Sequence, residues 1–210
     1  MIAIKKRLLI LLGIFSLCAV SAQEHPKNIV GVRAGYAASW ATSMGVATSV
    51  KHGYMVGVSD EVLLSRKVPF YFETGLNFIA KGYRINGHDD SSTAFNYLQL
   101  PVGIDYHIRT GKHVTVEPAA GFYYALGLGG KREIGDEAVK VFSDGSTSRH
   151  DFGFSCGVSA SIYRFHLGIA YETGLLNIDK SDKVYGDSSP MLGYKKLKNN
   201  CVIIKVGVNF

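Results

Sequence analysis

The sequence predicts an all-β fold, a single antiparallel transmembrane β-barrel of about eight strands, and three observations predict it. Apolar residues alternate with small or polar ones along almost the whole chain after residue 22. The connections between these runs switch between long and short. Aromatic side chains gather at both ends of the runs. Period two marks a strand with two unlike faces, and little of the chain carries the 3.6-residue period of a helix.

The first 22 residues stand apart. Lys5, Lys6 and Arg7 precede an apolar stretch from Leu8 to Leu17, and Val20-Ser21-Ala22 offers small residues for cleavage. This is the pattern of a cleaved signal peptide, with the apolar part too short to cross a bilayer as a helix. Cys18 follows Leu17, where a lipid-attachment motif needs a small residue. Two segments are expected, the signal peptide at 1–22 and the barrel domain at 23–210. Removing the signal takes three of the 23 basic residues and leaves 20 against 17 acids, a net +3 in place of +6. That balance gives a nucleic-acid partner little support. Cys156 and Cys201 fall on runs not expected to be neighbours, so no structural disulfide is expected. Residues 23–27 are too short for a plug or a periplasmic domain, which disfavours peptidoglycan anchoring and energised uptake.

Eight runs follow in order. Val30, Val32, Ala34 and Tyr36 alternate with Gly31, Arg33 and Gly35. Tyr54, Val56 and Val58 oppose Met55, Gly57 and Ser59, and the run from Phe70 to Phe78 opposes Tyr71, Glu73, Gly75 and Asn77. Leu98, Leu100, Val102, Ile104 and Tyr106 oppose Gln99, Pro101, Gly103, Asp105 and His107. Val116, Ala120, Phe122 and Tyr124 oppose Glu117, Ala119, Gly121 and Tyr123. Phe152, Phe154, Val158 and Ile162 oppose Gly and Ser only, and Phe165, Leu167, Ile169 and Tyr171 oppose His166, Gly168, Ala170 and Glu172. The last run sets Val202, Ile204, Val206, Val208 and Phe210 against Cys201, Ile203, Lys205, Gly207 and Asn209.

The polar face is too rich in Gly and Ser for a solvated surface and fits the crowded inside of a narrow barrel, with the apolar face turned to lipid. Residues 40–51, 85–94, 130–150 and 179–198 form long polar connections, whereas 65–69, 109–112 and Tyr163-Arg164 are short. Long outer loops and short periplasmic turns are the habit of bacterial outer-membrane barrels, and an even strand count puts both termini on the short-turn side. Tyr36, Tyr54, Phe78, Tyr124, Phe152, Phe154 and Tyr171 then form one aromatic belt, and Phe70, Phe72, Tyr106, Phe165 and Phe210 the other. Asp60 on the outward face needs a bulge or an early strand end, and Pro101 and Pro118 each need a bulge or a lost ladder bond.

The segment Tyr97-Leu98-Gln99-Leu100-Pro101-Val102-Gly103, with Asp151-Phe152-Gly153, Tyr163-Arg164-Phe165, Gly168, Tyr171 and Gly174-Leu175, resembles the PorT-like family of outer-membrane β-barrel proteins. The resemblance covers essentially all of the chain after the signal. It implies an outer-membrane location and a barrel of roughly eight strands, in a family with a member that serves protein export. It offers no catalytic residues to carry over.

Candidate chemistry is sparse. Gly127-Leu128-Gly129-Gly130-Lys131 has the wrong spacing for a phosphate loop and is read as a strand top opening into a loop. His88, Asp89 and Asp90 in one long connection and His150 and Asp151 after another suggest a rim hydrolase in which a carboxylate orients a histidine. The plainer reading is solvated loop residues that bind divalent cations weakly. Lys180, Lys183, Lys195, Lys196 and Lys198 suit either lipopolysaccharide phosphates or solvent. No catalytic, cofactor or metal residues are expected. The inward charges Arg33, Glu61, Glu73, Asp105, Glu117 and Lys205 form an expected ionic cluster, since charges in a narrow interior must pair, with His107 and His166 as further partners. The expected function is a structural, binding or accessory outer-membrane component, with a role in protein export as one form of it. A rim enzyme and a minor pore are the alternatives. Partners expected are outer-membrane lipid and lipopolysaccharide, the barrel insertion machinery and an envelope protein.

Phe210 belongs to the lower belt, and a terminal aromatic on an alternating strand resembles the signal read by the insertion machinery. Phe210→Asp is expected to leave the protein unfolded in the periplasm, without the heat-modifiable gel shift of a folded barrel. An unchanged shift would remove that role from Phe210.

Overall fold

Alternating faces become a closed sheet in the computed structural model, which describes residues 26–44, 47–85, 91–135, 137–143, 145–180 and 195–210. The strands are β1 (Asn28–Met44), β2 (Ser49–Leu63), β3 (Phe70–Ile85), β4 (Ser91–Tyr106), β5 (Ile108–Arg109), β6 (Val114–Ile134), β7 (Glu137–Lys140), β8 (His150–Ile162), β9 (Phe165–Gly174) and β10 (Lys195–Asn209). Among the described residues eight of them make the wall, all antiparallel, in the cyclic order β1-β2-β3-β4-β6-β8-β9-β10. Pairing of β10 with β1, from Gly31↔Asn209 to Met44↔Lys195, completes the ring. The two small strands both pair with β6. Closure follows from the solvent: lipid offers no hydrogen bonds, so a spanning sheet keeps no open edge. Among the described residues no helix is long and apolar enough to cross a membrane. The signal segment at 1–22 lies outside the described residues.

The outward positions form the lipid face. Val32, Val58, Leu76, Ile104, Phe122, Leu167, Ile169, Ile204 and Val206 are all exposed on the isolated chain, while their strand neighbours Arg33, Ser59, Asp105, Tyr123, His166 and Ile203 are buried. At the outer edge of this band the apolar face acquires polar tips. The Tyr36 hydroxyl bonds His52 Nδ1, and that of Tyr124 lies 2.5 Å from His150 Nδ1. The Tyr171 hydroxyl donates to Asn200 Oδ1 at 3.2 Å beside Trp40. Ring bodies in hydrocarbon with polar tips toward water are what an interfacial belt requires. At the other end Phe70 packs on Tyr106, His113 stacks on Tyr163, and the Phe210 N–H donates to Val30.

The prolines sit where the ladder lapses. The β3–β4 pairing passes from Thr74↔Val102 to Asn77↔Gln99 in unchanged register, skipping Pro101. Pro118 on β6 lies opposite the break between β4, whose last pair is Asp105↔Ala119, and β5, which begins at Ile108↔Val116. The His107 N–H, which would continue β4, donates to Pro69 at 3.0 Å. A residue without an N–H interrupts pairing without needing a bulge. Asp60 is not rescued as expected. It stays within β2, unbulged, between Val30 and Thr74, three residues from the strand end near the periplasmic interface.

The connections differ from expectation at the outer end. Residues 40–51 and 85–94, read as long loops, carry strand at both ends, since β1 runs to Met44, β2 begins at Ser49, β3 runs to Ile85 and β4 begins at Ser91. Gly127–Lys131, read as opening into a loop, lies inside β6. Crossing a membrane takes about 9–11 residues of strand, and β6 has 21. Polarity in these segments marks where strands leave the lipid, and pairing continues beyond that point. The outer connections 135–149 and 175–194 remain long, and the periplasmic 64–69, 110–113 and 163–164 remain short.

Val139 on β7 and Lys112 in the β5–β6 turn are both exposed, at opposite ends. A membrane-impermeant maleimide added to intact cells is expected to label Val139→Cys and not Lys112→Cys. The reverse pattern would invert the barrel.

Candidate functional site

Eight strands give a lumen about wide enough for side chains to fill, and the inward residues fill it in two layers. The periplasmic layer is ionic. Arg33 Nη2 donates to Glu61 Oε1 at 3.3 Å, and its Nη1 donates to the Val208 carbonyl at 3.3 Å. The guanidinium folds over two glycines: a Cβ at Gly207 would meet Arg33 Cδ at 2.6 Å, and one at Gly31 would overlap the head group. Lys205 on β10 reaches across the lumen to Glu73 on β3 at 3.8 Å. His166 Nδ1 lies 3.4 Å from Glu117 Oε2, which also accepts from Ser159 Oγ at 3.2 Å. His107, stacked on Tyr71 with centroids 3.9 Å apart, faces Glu61 at 3.4 Å. Asp105 is buried beside this group on β4.

Above it, Lys81 on β3 makes a 2.6 Å ion pair with Glu172 on β9 and lies over the Tyr123 ring. Gln99 Nε2 donates to the other Glu172 oxygen at 2.7 Å. Asn199 Nδ2 donates to Asp151 at 2.9 Å, and the Tyr123 hydroxyl to the same oxygen at 3.4 Å. The outer end is apolar: Tyr83, Phe95, Tyr97, Ile79 and Leu197 pack with Val141, Phe142 and Ile178 from the outer connections. Phe142 rests on Phe95, under the Arg149 guanidinium, in space that a Cβ at Gly127 would occupy. Side chains therefore pack the outer end of the lumen, and ion pairs cross its periplasmic half.

All six members of the expected ionic cluster lie in the periplasmic layer. The upper network of Lys81, Gln99, Glu172, Asp151 and Asn199 is absent from that expectation. Carrying the third run's alternation three residues past Phe78 puts Lys81 inward, at the level where the seventh run turns Glu172 inward. The rim candidates separate. His88, Asp89 and Asp90 lie outside the described residues, as does Lys183. His150 and Asp151 open β8 on opposite faces, His150 exposed beside Tyr124 and Asp151 fully buried in the lumen. Consecutive strand residues cannot share a face, so these two form no dyad. Cys156 and Cys201 are both free.

The family model for the outer membrane protein beta-barrel domain matches residues 21–180, more than half of the chain. The chain belongs to this family. The protein is therefore an outer-membrane β-barrel of the bacterial envelope. No curated protein sequence matches it significantly. Among solved structures, the outer membrane protein OprG from Pseudomonas aeruginosa aligns with a TM-score of 0.51 at 12% identity, over 89% of this chain and 98% of its own. Ail, the attachment invasion locus protein of Yersinia pestis, aligns at 0.48 and 12%, over 88% and 100%. The outer membrane enzyme PagL aligns at 0.48 and 12%, over 85% and 98%. At such identities the likeness to OprG speaks for the barrel fold alone, and the two lower scores carry no argument.

Removing one partner of a dry ion pair leaves the other uncompensated, at about 3–5 kcal/mol. Lys81→Met is expected to destabilise the family's barrel here by about that amount in urea-dependent folding in micelles. Adding Glu172→Leu should recover much of the loss, because an apolar pair of similar volume replaces the ionic one. Equal stability of Lys81→Met and the unmutated protein would show the pair to be hydrated.

Proposed function

We propose that the protein is a non-enzymatic structural, binding or accessory component of the outer membrane that acts through its ends rather than through a pore. The observation that carries this reading is the filled lumen. An ionic layer with cross-lumen ties occupies the periplasmic half, and aromatic packing under Phe142 and Ile178 occupies the outer half. Such an interior leaves no continuous water column. The outer end offers the β6–β7 hairpin, in which Glu137, Ala138, Val139 and Lys140 are all exposed. The resemblance to the PorT-like family extends the proposal to an accessory role in protein export, with an envelope protein as partner. Lys180, Lys196 and Lys198 at the outer end supply positive charge for lipopolysaccharide phosphates.

The rim-hydrolase reading draws little support from the geometry, because His150 and Asp151 diverge. Reconstituted in a planar bilayer, the refolded barrel is expected to give no steady conductance, and in peptide and ester assays no turnover. Porin-like conductance would move the pore reading to first place. Hydrolysis lost in His150→Ala would do the same for the enzyme.

A further inference from the structure

Three buried atoms at the periplasmic end of the lumen face one another without hydrogen-bond partners among the described residues. They are Glu61 Oε2 on β2, Asp105 Oδ1 on β4, and Nε2 of His107, which follows β4. Each of these three residues offers one ligand atom within 4.8 Å of those of the other two. The residues are 2%, 4% and 6% exposed. We propose that they form a binding site for a divalent first-row transition cation of the zinc class.

Charge makes the first argument. The layer holds Glu61, Glu73, Asp105 and Glu117 against Arg33 and Lys205, with Arg109 at its mouth, so acids outnumber bases around the three residues. Glu61 and Glu73 are also direct cross-strand partners. Like charges opposed in this way destabilise a sheet, and buried charge without compensation is strongly disfavoured. One divalent ion removes the excess while leaving His107 neutral, the form in which imidazole is a ligand.

Donor chemistry and geometry make the second. Two carboxylates and one imidazole suit zinc and its neighbours better than magnesium or calcium, which favour oxygen alone. Three protein ligands with an open fourth position is a common zinc arrangement, with ligand atoms about 2.0–2.2 Å from the metal. His107 Nε2 and Glu61 Oε2 already stand 3.4 Å apart, close to the edge of such a tetrahedron. Asp105 offers a carboxylate oxygen within 4.8 Å of the ligand atoms of both.

The surroundings are those of a supported site. Arg33 occupies Glu61 Oε1, which turns Oε2 toward the centre, and Tyr71 stacks on His107 and fixes its plane. Such outer contacts orient metal ligands. A cavity of about 390 Å³ at the periplasmic mouth, lined by Tyr71, His107, Arg109, Glu117 and Arg164 among others, opens onto His107 from the periplasmic side.

The test uses the full barrel, without an affinity tag, refolded in detergent micelles. Calorimetric titration with Zn²⁺ is expected to show one saturable equivalent, and Co²⁺ in its place to give visible d–d bands. His107→Ala and Asp105→Asn are each expected to weaken Zn²⁺ binding by more than the roughly 10–100-fold that follows loss of an outer contact. The exposed His150→Ala should bind as the unmutated protein does. If either lumen variant fails to fold, X-ray absorption at the zinc edge of the unmutated protein decides, with one imidazole among oxygen donors expected. No saturable uptake by the unmutated barrel overturns the proposal. So does uptake that survives in both lumen variants, uptake lost in His150→Ala, or an edge spectrum showing two or more imidazoles.

Discussion

The constraint on which the rest of this structure depends is the absence of water from the bilayer core. A strand that crosses lipid must find every backbone partner in another strand, so the sheet closes and β10 meets β1. Closing at eight strands fixes the lumen near the width of two opposed side chains. The inward face is thereby shielded from lipid and largely from solvent. Polar groups there depend on partners inside the barrel.

The small residues follow from that narrowness. A large inward side chain needs an inward neighbour that has almost none. Arg33 lies over Gly31 and Gly207, and Tyr123 fills the space above Gly153. The pairs that result tie facing walls together, Lys81 on β3 to Glu172 on β9 and Lys205 on β10 to Glu73 on β3, while Asn199 on β10 reaches past β9 to Asp151 on β8. Contacts across the lumen oppose flattening of the barrel in a way that ladder hydrogen bonds, which run around its circumference, do not.

Strand existence and face were legible in the sequence because both depend on period two, a local property. Tyr71, Tyr123 and Met55 read as inward and are buried, and the outward valines and leucines read as lipid-facing and are exposed. Strand length was not legible at the outer end. There Lys51, Arg84, Ser91 and Ser92 belong to paired strands although their polarity looks like loop. Once strands pass the outer interface both faces can be polar, and the contrast that reveals alternation disappears. The same loss hid the upper network, because Lys81 lies past the last clear apolar residue of its run. The pairing of His150 with Asp151 failed for the opposite reason. Adjacency in sequence suggested a shared loop, whereas membership in β8 sends the two side chains to opposite faces.

A buried ionic layer is not the most stable filling for a barrel, since apolar residues of matching volume often do as well or better. Its value here lies in register. A one-residue slip of any strand exchanges its faces. Slipping β1 or β10 would carry Arg33 or Lys205 into hydrocarbon, at about 2–4 kcal/mol for each near the midplane and less near the interface. Slipping β2 or β3 would expose Glu61 or Glu73 to lipid and at the same time strand Arg33 or Lys205, and slipping β4 would expose Asp105. The β8 wall works differently. Beyond the inward Asp151 at its outer end, its inward positions are Gly153, Ser155, Gly157, Ser159 and Ser161, which carry no charge to misplace, and there its register rests on the outward Phe152, Phe154, Val158 and Ile162. The charged wall from β10 through β1 to β4 and the small-residue wall of β8 therefore make complementary demands. One fixes which way each strand faces, and the other leaves the space into which the fixed side chains reach.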